Sequence, residues 1–479
     1  MRSRTGWSFP GIRRFIIISI MKTTRVRKST RLWPGLALAV LFVFPAKGSS
    51  QDVQQTEARM LKQAEANIEK FRKGDVTVQF RTPDGRMVRN AQVEIRQKTH
   101  DFLFGCIIFD LVGVKDVDRE YLFKARFKQI FNLAVFPFYW PGYEPLQGFT
   151  GWERLLPTLE WCRANGITTK GHPLVWATNS GTPSWLAGYT VEETEEFLKT
   201  RVLSITSGFR DQIGLWDVVN EPVNVKTWKH KVQDLANEND WDIVEPIPLI
   251  ADYVERALQW ARRGNPGATR LINEYKTLAD EKTRKRYEEL LVELKKRKAP
   301  LSGIGIQAHE PRQEWFSPVE VWKTFDLYGG LGFPIHITEF HPQSSGVGIT
   351  GGWRSGQWTA EAQSEFTGQF VRLCFGHPAV VSINWWGLSD RNSWLPGGGL
   401  VDEEFNPKPV YTMLDKLINQ TWRTRLSTKT DDKGTISFRG FFGEYEIALT
   451  MPDGTAHVFS VHVSRNEENR WAFTVDSGG

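Results

Sequence analysis

Between about residues 101 and 421 the chain repeats one pattern: a short apolar, β-branched run, then a longer stretch with apolar residues three and four apart. The short runs fall at 102–107, 132–136, 168–175, 214–219, 269–273, 303–307, 335–338 and 380–385. Near-continuous apolar runs are what strands buried on both faces require, and their alternation with helical periodicity predicts parallel βα units. Helices are expected over 190–203, 248–263, 282–297, 318–328 and 360–375. Eight strands in about 320 residues predict an α/β fold of the (β/α)8, or TIM barrel, class. A doubly wound open sheet is the alternative, against which stands the lack of a Gly-rich phosphate loop after any of these strands.

Outside this block the period changes to two. Residues 76–80 and 91–95 alternate around the turn Pro83-Asp84-Gly85, and 435–439, 445–450, 457–463 and 471–475 alternate around Pro452-Asp453-Gly454. Residues 53–73 are polar and helix-favouring. The expected organisation is a helix plus a small β region at 49–100, the barrel at 101–421, and a small sandwich-like β region at 422–479. Pairing of the two flanks into one sandwich is a natural way to close both.

The formal charge of +6 changes meaning once it is located. Residues 1–48 hold 10 of the 61 Lys and Arg and none of the 55 acids, so the remainder is net −4. Met21-Lys22 with Arg25, Arg27, Lys28 and Arg31, then an apolar stretch at 36–45 and Ala46-Lys47-Gly48, read as a signal peptide with a small-x-small cleavage site. The apolar stretch is short for a bilayer span, so the expectation is a secreted or periplasmic protein with no stable membrane insertion after cleavage. Cys106, Cys162 and Cys374 are too few and too far apart for a disulfide framework. No His-Glu-x-x-His and no Gly-x-Ser-x-Gly occurs, and Lys295-Lys296-Arg297-Lys298 reads as a solvated helix end. These features predict no metal, no cofactor and no nucleic-acid partner. The 20 Trp suit a different ligand, because the C–H faces of sugar rings stack on aromatic side chains.

Two runs carry the chemistry: Trp216-Asp217-Val218-Val219-Asn220-Glu221-Pro222 and Ile335-His336-Ile337-Thr338-Glu339-Phe340. Each is a strand-like stretch that stops at a glutamate, which would set two carboxyl groups in the mouth of the barrel. Paired carboxyls are the minimum equipment for glycosidic hydrolysis. Around them, Gly171-His172-Pro173-Leu174-Val175-Trp176, Ile272-Asn273-Glu274-Tyr275, Gly303-Ile304-Gly305-Ile306-Gln307-Ala308-His309, Trp386-Gly387-Leu388-Ser389-Asp390 with Ser393-Trp394, and Lys408-Pro409-Val410-Tyr411 occur in order. In these motifs the chain resembles glycoside hydrolase family 10, the retaining endo-β-1,4-xylanases.

The resemblance implies that Glu221 is the acid/base, Glu339 the nucleophile, and Asn220 the holder of the sugar 2-hydroxyl. It further implies that His172, Trp176, Gln307, Trp386 and Trp394 line the glycone side, and that His309 lies beside the nucleophile. Tyr275 either orients the nucleophile or only packs, and one of Trp385 and Trp386 must face the core. The chain departs from the family at Val135-Phe136-Pro137-Phe138-Tyr139-Trp140, where Phe136 stands for an Asn and Tyr139 for a Lys that bind glycone hydroxyls. Ala177 and Asn179 replace a His and a Gln. An aromatic wall of Phe136, Phe138 and Tyr139, stacking where the family hydrogen-bonds, is the expectation. The partner is then a polysaccharide, xylan or a related β-glycan; a non-catalytic carbohydrate-binding barrel is the alternative, against which stands the retained carboxyl pair.

Overall fold

The computed structural model describes residues 50–228, 231–232, 245–309 and 312–476. The expected signal sequence over 1–48 lies outside the described residues. Among those that are described, no helix is long and apolar enough to cross a membrane.

The chain enters through helix α1 (Ser50–Phe71) and strands β1 (Lys73–Arg81) and β2 (Gln92–Gln97). Eight strands follow: β3 (Leu103–Ile107), β4 (Leu133–Pro137), β5 (Thr168–His172), β6 (Leu215–Asn220), β7 (Thr269–Glu274), β8 (Gly303–Ile306), β9 (Ile335–Phe340) and β10 (Val380–Trp385). They pair in parallel and close as β10-β3-β4-β5-β6-β7-β8-β9, which is the expected barrel. Every residue of β6 and of β9 is buried, as strands covered on both faces must be.

Helices α2 (Val117–Ile130), α3 (Trp140–Tyr143), α4 (Leu156–Ala164), α5 (Val191–Gly208), α6 (Ile247–Gly264), α7 (Glu281–Lys296), α8 (Pro318–Gly329), α9 (Ala360–Gly376) and α10 (Pro409–Lys416) fill the connections. Their starts are written in the sequence. Thr190 and Glu193 form a reciprocal capping box at α5, while Asp280 and Thr359 cap α7 and α9. On α6 the buried Ile250, Val254, Ala257, Leu258 and Ala261 recur at helical spacing and form one inward stripe.

After the barrel come β11 (Arg425–Lys429), β12 (Thr435–Phe441), β13 (Gly443–Thr450), β14 (Ala456–Val463) and β15 (Arg470–Thr474). β1 lies between β12 and β15, and β2 between β11 and β13, so each sheet of a two-layer unit takes one strand from the start of the chain. Val76, Val78 and Phe80 of β1 and Val93 and Ile95 of β2 share its apolar core with Tyr445, Ile447 and Leu449. The turn at Pro83-Asp84-Gly85 closes one antiparallel bridge, Arg81 with Met87, but does not pair β1 with β2; it carries the chain from one sheet to the other. The turn at Pro452-Asp453-Gly454 does join paired strands, β13 and β14.

Arg72, at the junction of α1 and β1, anchors this unit to the barrel. Its buried guanidinium donates to the carbonyls of Phe375 at 2.6 Å, His377 at 2.7 Å and Val380 at 2.7 Å, and stacks over the ring of Phe102. The first of these carbonyls belongs to the last turn of α9, where helical carbonyls lack partners and the helix dipole favours a cation. Alongside, α1 lies so close to α9 that a Cβ on Gly376 would meet the carbonyl oxygen of Ala64 at 2.4 Å. Arg72→Met keeps the apolar stem and strands these carbonyls, each worth about 1–3 kcal/mol when buried without a donor. The expected outcome is destabilisation by about 3 kcal/mol, read as a lower urea midpoint; an unchanged midpoint would contradict the anchoring role.

Candidate active site

All eight strands run to the same mouth, and the sequence places its polar residues at those ends. β5 stops at His172 because Pro173 has no N–H for the ladder. Glu221 follows β6, Asn273 and Glu274 end β7, Gln307 follows β8, and Glu339 lies in β9. Tyr139 follows β4 and Trp386 follows β10.

Two side-chain amides join the two carboxyl groups. Asn273 Nδ2 donates to Glu339 Oε1 at 2.7 Å and to Asn220 Oδ1 at 2.8 Å, and Asn220 Nδ2 donates to Glu221 Oε1 at 3.2 Å. Thr338 Oγ1 donates to Asn273 Oδ1 at 2.5 Å, which fixes the nitrogen end of that amide toward Glu339. Gly305 leaves room for it, since a Cβ there would stand 2.7 Å from Asn273 Oδ1.

The two carboxyls differ in their remaining partners. Glu339 has His309 Nε2 at 3.2 Å from Oε2 and His172 Nε2 at 3.9 Å from Oε1. Glu221 accepts from Trp176 Nε1 at 2.8 Å and from Gln307 Nε2 at 3.0 Å. Burial in the barrel mouth nevertheless pushes the Glu221 carboxyl up to about 6, the nearby Glu339 adding to the shift while the Gln307 and Trp176 donors and His309 oppose it.

Beneath His172 lies a buried charge pair. Asp217 Oδ2 accepts from Lys170 Nζ at 2.7 Å and faces His172 Nδ1 at 2.8 Å, all three side chains being almost fully buried. Burial alone would raise the Asp217 carboxyl, but Lys170 and His172 outweigh it and hold it below the ordinary range. An ionised Asp217 calls for the proton on Nδ1 of His172, which turns the Nε2 lone pair toward the cleft.

Aromatic rings complete the walls. Half-buried Tyr139 sets its ring edge-on to His172 at 5.4 Å and to Trp176 at 5.9 Å. Its hydroxyl is pushed well above the usual tyrosine value by burial and then by Glu339, Glu221 and Asp217, so it stays a proton donor. Trp386 meets His172 at 5.0 Å, while its neighbour Trp385 is fully buried against Phe131 and Phe340. Trp394 is 38% exposed, with its ring beside His309 at 5.2 Å and under the guanidinium of Arg312 at 4.2 Å. Tyr275 is buried behind the site, with its backbone N–H donating to Glu274 Oε1 at 3.0 Å. Among the described residues no three His, Cys, Asp or Glu side chains are grouped as metal ligands.

The expected aromatic wall needs correction. Phe136 and Phe138 are wholly buried, and Phe138 packs against Trp216, Phe209 and Tyr143 rather than facing the mouth. Only Tyr139 of that run reaches the carboxyls; its ring companion across the mouth is Phe109, at 6.2 Å from Tyr139 and 5.6 Å from Trp386. Sequence reasoning also passed over Asn273, Glu274, Lys170 and Asp217 as site residues. A signal existed: Asn273-Glu274 ends an apolar run as the two singled-out glutamates do, and Lys170 and Asp217 are charges inside strands expected to be buried.

Lys170→Met leaves the buried Asp217 without its main counter-charge. The expected cost is about 3–5 kcal/mol, the range for breaking one side of a buried pair, measured by thermal unfolding. A melting temperature equal to that of the parent would contradict the pairing.

Comparison with known proteins agrees with this fold. The sequence profile of Glycosyl hydrolase family 10 matches residues 99–417. The chain is 27% identical over 299 residues to Endo-1,4-beta-xylanase B of Thermotoga neapolitana, covering 60% of this chain and 80% of that one. It is 26% identical over 430 residues to Endo-1,4-beta-xylanase 1 of Arabidopsis thaliana, 88% of this chain but only 41% of that longer protein. The crystal structure of native xylanase 10B from Thermotoga maritima superposes with a TM-score of 0.54 at 24% identity, over 67% of this chain and 96% of that one, a likeness of fold. With a family match spanning the whole barrel and two glutamates meeting in its mouth, the chain belongs to glycosyl hydrolase family 10 and is a glycoside hydrolase.

Proposed function

We propose that the protein is a secreted, retaining, endo-β-1,4-xylanase-like hydrolase whose glycone subsite is altered at Tyr139. The observation that carries this reading is the unequal treatment of two carboxyls joined by amides. Glu339 faces the Asn273 amide on one oxygen and His309 on the other, while Glu221, raised to about 6 chiefly by burial, is the carboxyl suited to give a proton.

In the first displacement Glu339 attacks the anomeric carbon as Glu221 protonates the departing glycosidic oxygen. In the second, Glu221 takes a proton from water, and that water releases the sugar from Glu339 with the β configuration restored. Asn220 and the Nε2 of His172 supply hydrogen bonds to ring hydroxyls. Trp386 and Trp394 supply stacking faces, and the Tyr139 hydroxyl donates where the family has a lysine ammonium. An uncharged donor in that position gives a weaker bond, about 0.5–1.5 kcal/mol against up to about 3 for a charged one, which loosens the preference for one glycan. Support for export comes from the basic and apolar pattern of residues 1–48.

The test is product release from xylan and a panel of other β-glycans by the parent, Glu339→Ala and Glu221→Ala, with the first-formed anomer followed by proton NMR. Xylo-oligosaccharides of β configuration are expected from the parent, none from Glu339→Ala, and about 10²–10⁴-fold less from Glu221→Ala. Release from a different β-glycan would reassign the substrate to the Tyr139 wall, and binding with no release from any would favour the carbohydrate-binding barrel.

A further inference from the structure

Glu274 is a buried acidic residue at the barrel mouth that the double displacement does not use. It ends β7 next to Asn273, and strand alternation sends the two side chains opposite ways. Asn273 turns to Glu339, whereas Glu274, wholly buried, turns to the loop after β6. There Glu274 Oε2 accepts from the backbone N–H of Val223 at 2.9 Å, and Oε1 accepts from Asn224 Nδ2 at 2.8 Å and from the N–H of Tyr275 at 3.0 Å.

Two of those partners, Val223 and Asn224, directly follow Glu221-Pro222 in the chain. The turn Glu221-Pro222-Val223-Asn224 holds Glu221 at φ 55°, a left-handed backbone that a residue with a long side chain adopts only when its surroundings impose it. One restraint is the Glu221 N–H, which donates to the carbonyl of Asn273 at 2.7 Å. On the C-terminal side of the turn the Asn224 N–H donates to the Glu221 carbonyl at 3.3 Å, and the side-chain restraints on Val223 and Asn224 come from the Glu274 carboxyl. A buried anion would be a costly clamp, but burial and then the Glu221 carboxyl push Glu274 up to about 8. The N–H groups of Val223, Asn224 and Tyr275 oppose that rise.

We propose that Glu274 is a positioning residue for Glu221: its carboxyl pins Val223 and Asn224, so that the left-handed turn aims Glu221 at the leaving-group oxygen. The proposal rests on the reading of Glu221 as the acid, and the experiment separates the two. Glu274→Gln is nearly isosteric; with its oxygen kept on Asn224 and Tyr275, its NH2 opposes the Val223 N–H and breaks one bond of three. Asn224→Ala removes a different bond and leaves the buried carboxyl in place.

The measurement is kcat/KM on phenyl β-xylobioside, whose leaving group needs a proton, and on 2,4-dinitrophenyl β-xylobioside, whose leaving group does not, with thermal melting as the check on folding. Glu221→Ala serves as the reference. Glu274→Gln is expected to lose about 30-fold or more on the phenyl substrate and no more than about 3-fold on the dinitrophenyl one, with Asn224→Ala following in the same sense, because general-acid help is worth about 10²–10⁴-fold only where a proton is needed. Equal losses on both substrates, with Glu221→Ala still separating them, would make Glu274 a structural residue and overturn the proposal. If Glu221→Ala fails to separate them, the assignment of the acid falls and the proposal falls with it.

Discussion

The amide of Asn273 is the constraint on which the site depends. One NH2 group serves Glu339 and Asn220 together, and Asn220 passes the contact to Glu221, so neither carboxyl can move without disturbing the other. Such an amide can stand inside a barrel only with its oxygen satisfied and its flank clear; Thr338 and Gly305 provide these. The pair is asymmetric in its partners: Glu339 faces the Asn273 amide and His309, while burial raises Glu221 against the opposing donors Gln307 and Trp176.

Around this core the fold spends buried polar groups freely but in closed sets. Lys170, Asp217 and His172 neutralise and orient one another beneath the cleft, and Glu274 is enclosed by N–H donors behind it. Each set rests on barrel strands, Lys170 and Asp217 inside β5 and β6 and Glu274 at the end of β7, where the neighbouring strands hold its members in register. The sandwich is separate in its core yet tied to the barrel through Arg72, whose partners are carbonyls around the end of α9. That contact joins the first and last portions of the chain to the scaffold that shapes the site.

The barrel was legible because strands buried on both faces are apolar throughout, and the eight runs found on that basis are its eight strands. The ends of those runs led directly to Glu221 and Glu339. Less visible was where a side chain points near a strand's end: Phe136 inside β4 and Phe138 just after it look like cleft aromatics in sequence, yet both face the interior. Phe109 was missed because it follows β3 in a short turn with no periodic signal. Strand β11 was missed because all five of its residues are exposed, so it carries no alternation to read. Asn273 and Asp217 were inside quoted motifs, but their work is on other side chains, and such second contacts become visible only when the strands are paired.

The pH dependence of kcat/KM on an unactivated substrate tests the central claim most directly. A group that must hold its proton, with its pKa raised to about 6, gives activity that is full below that value and falls about tenfold per unit above it. The account predicts that limb on the phenyl glycoside and its absence on the dinitrophenyl one, which needs no acid. A profile flat to pH 8 on the phenyl substrate, or the same limb on both, would contradict Glu221 as the raised carboxyl that gives the proton.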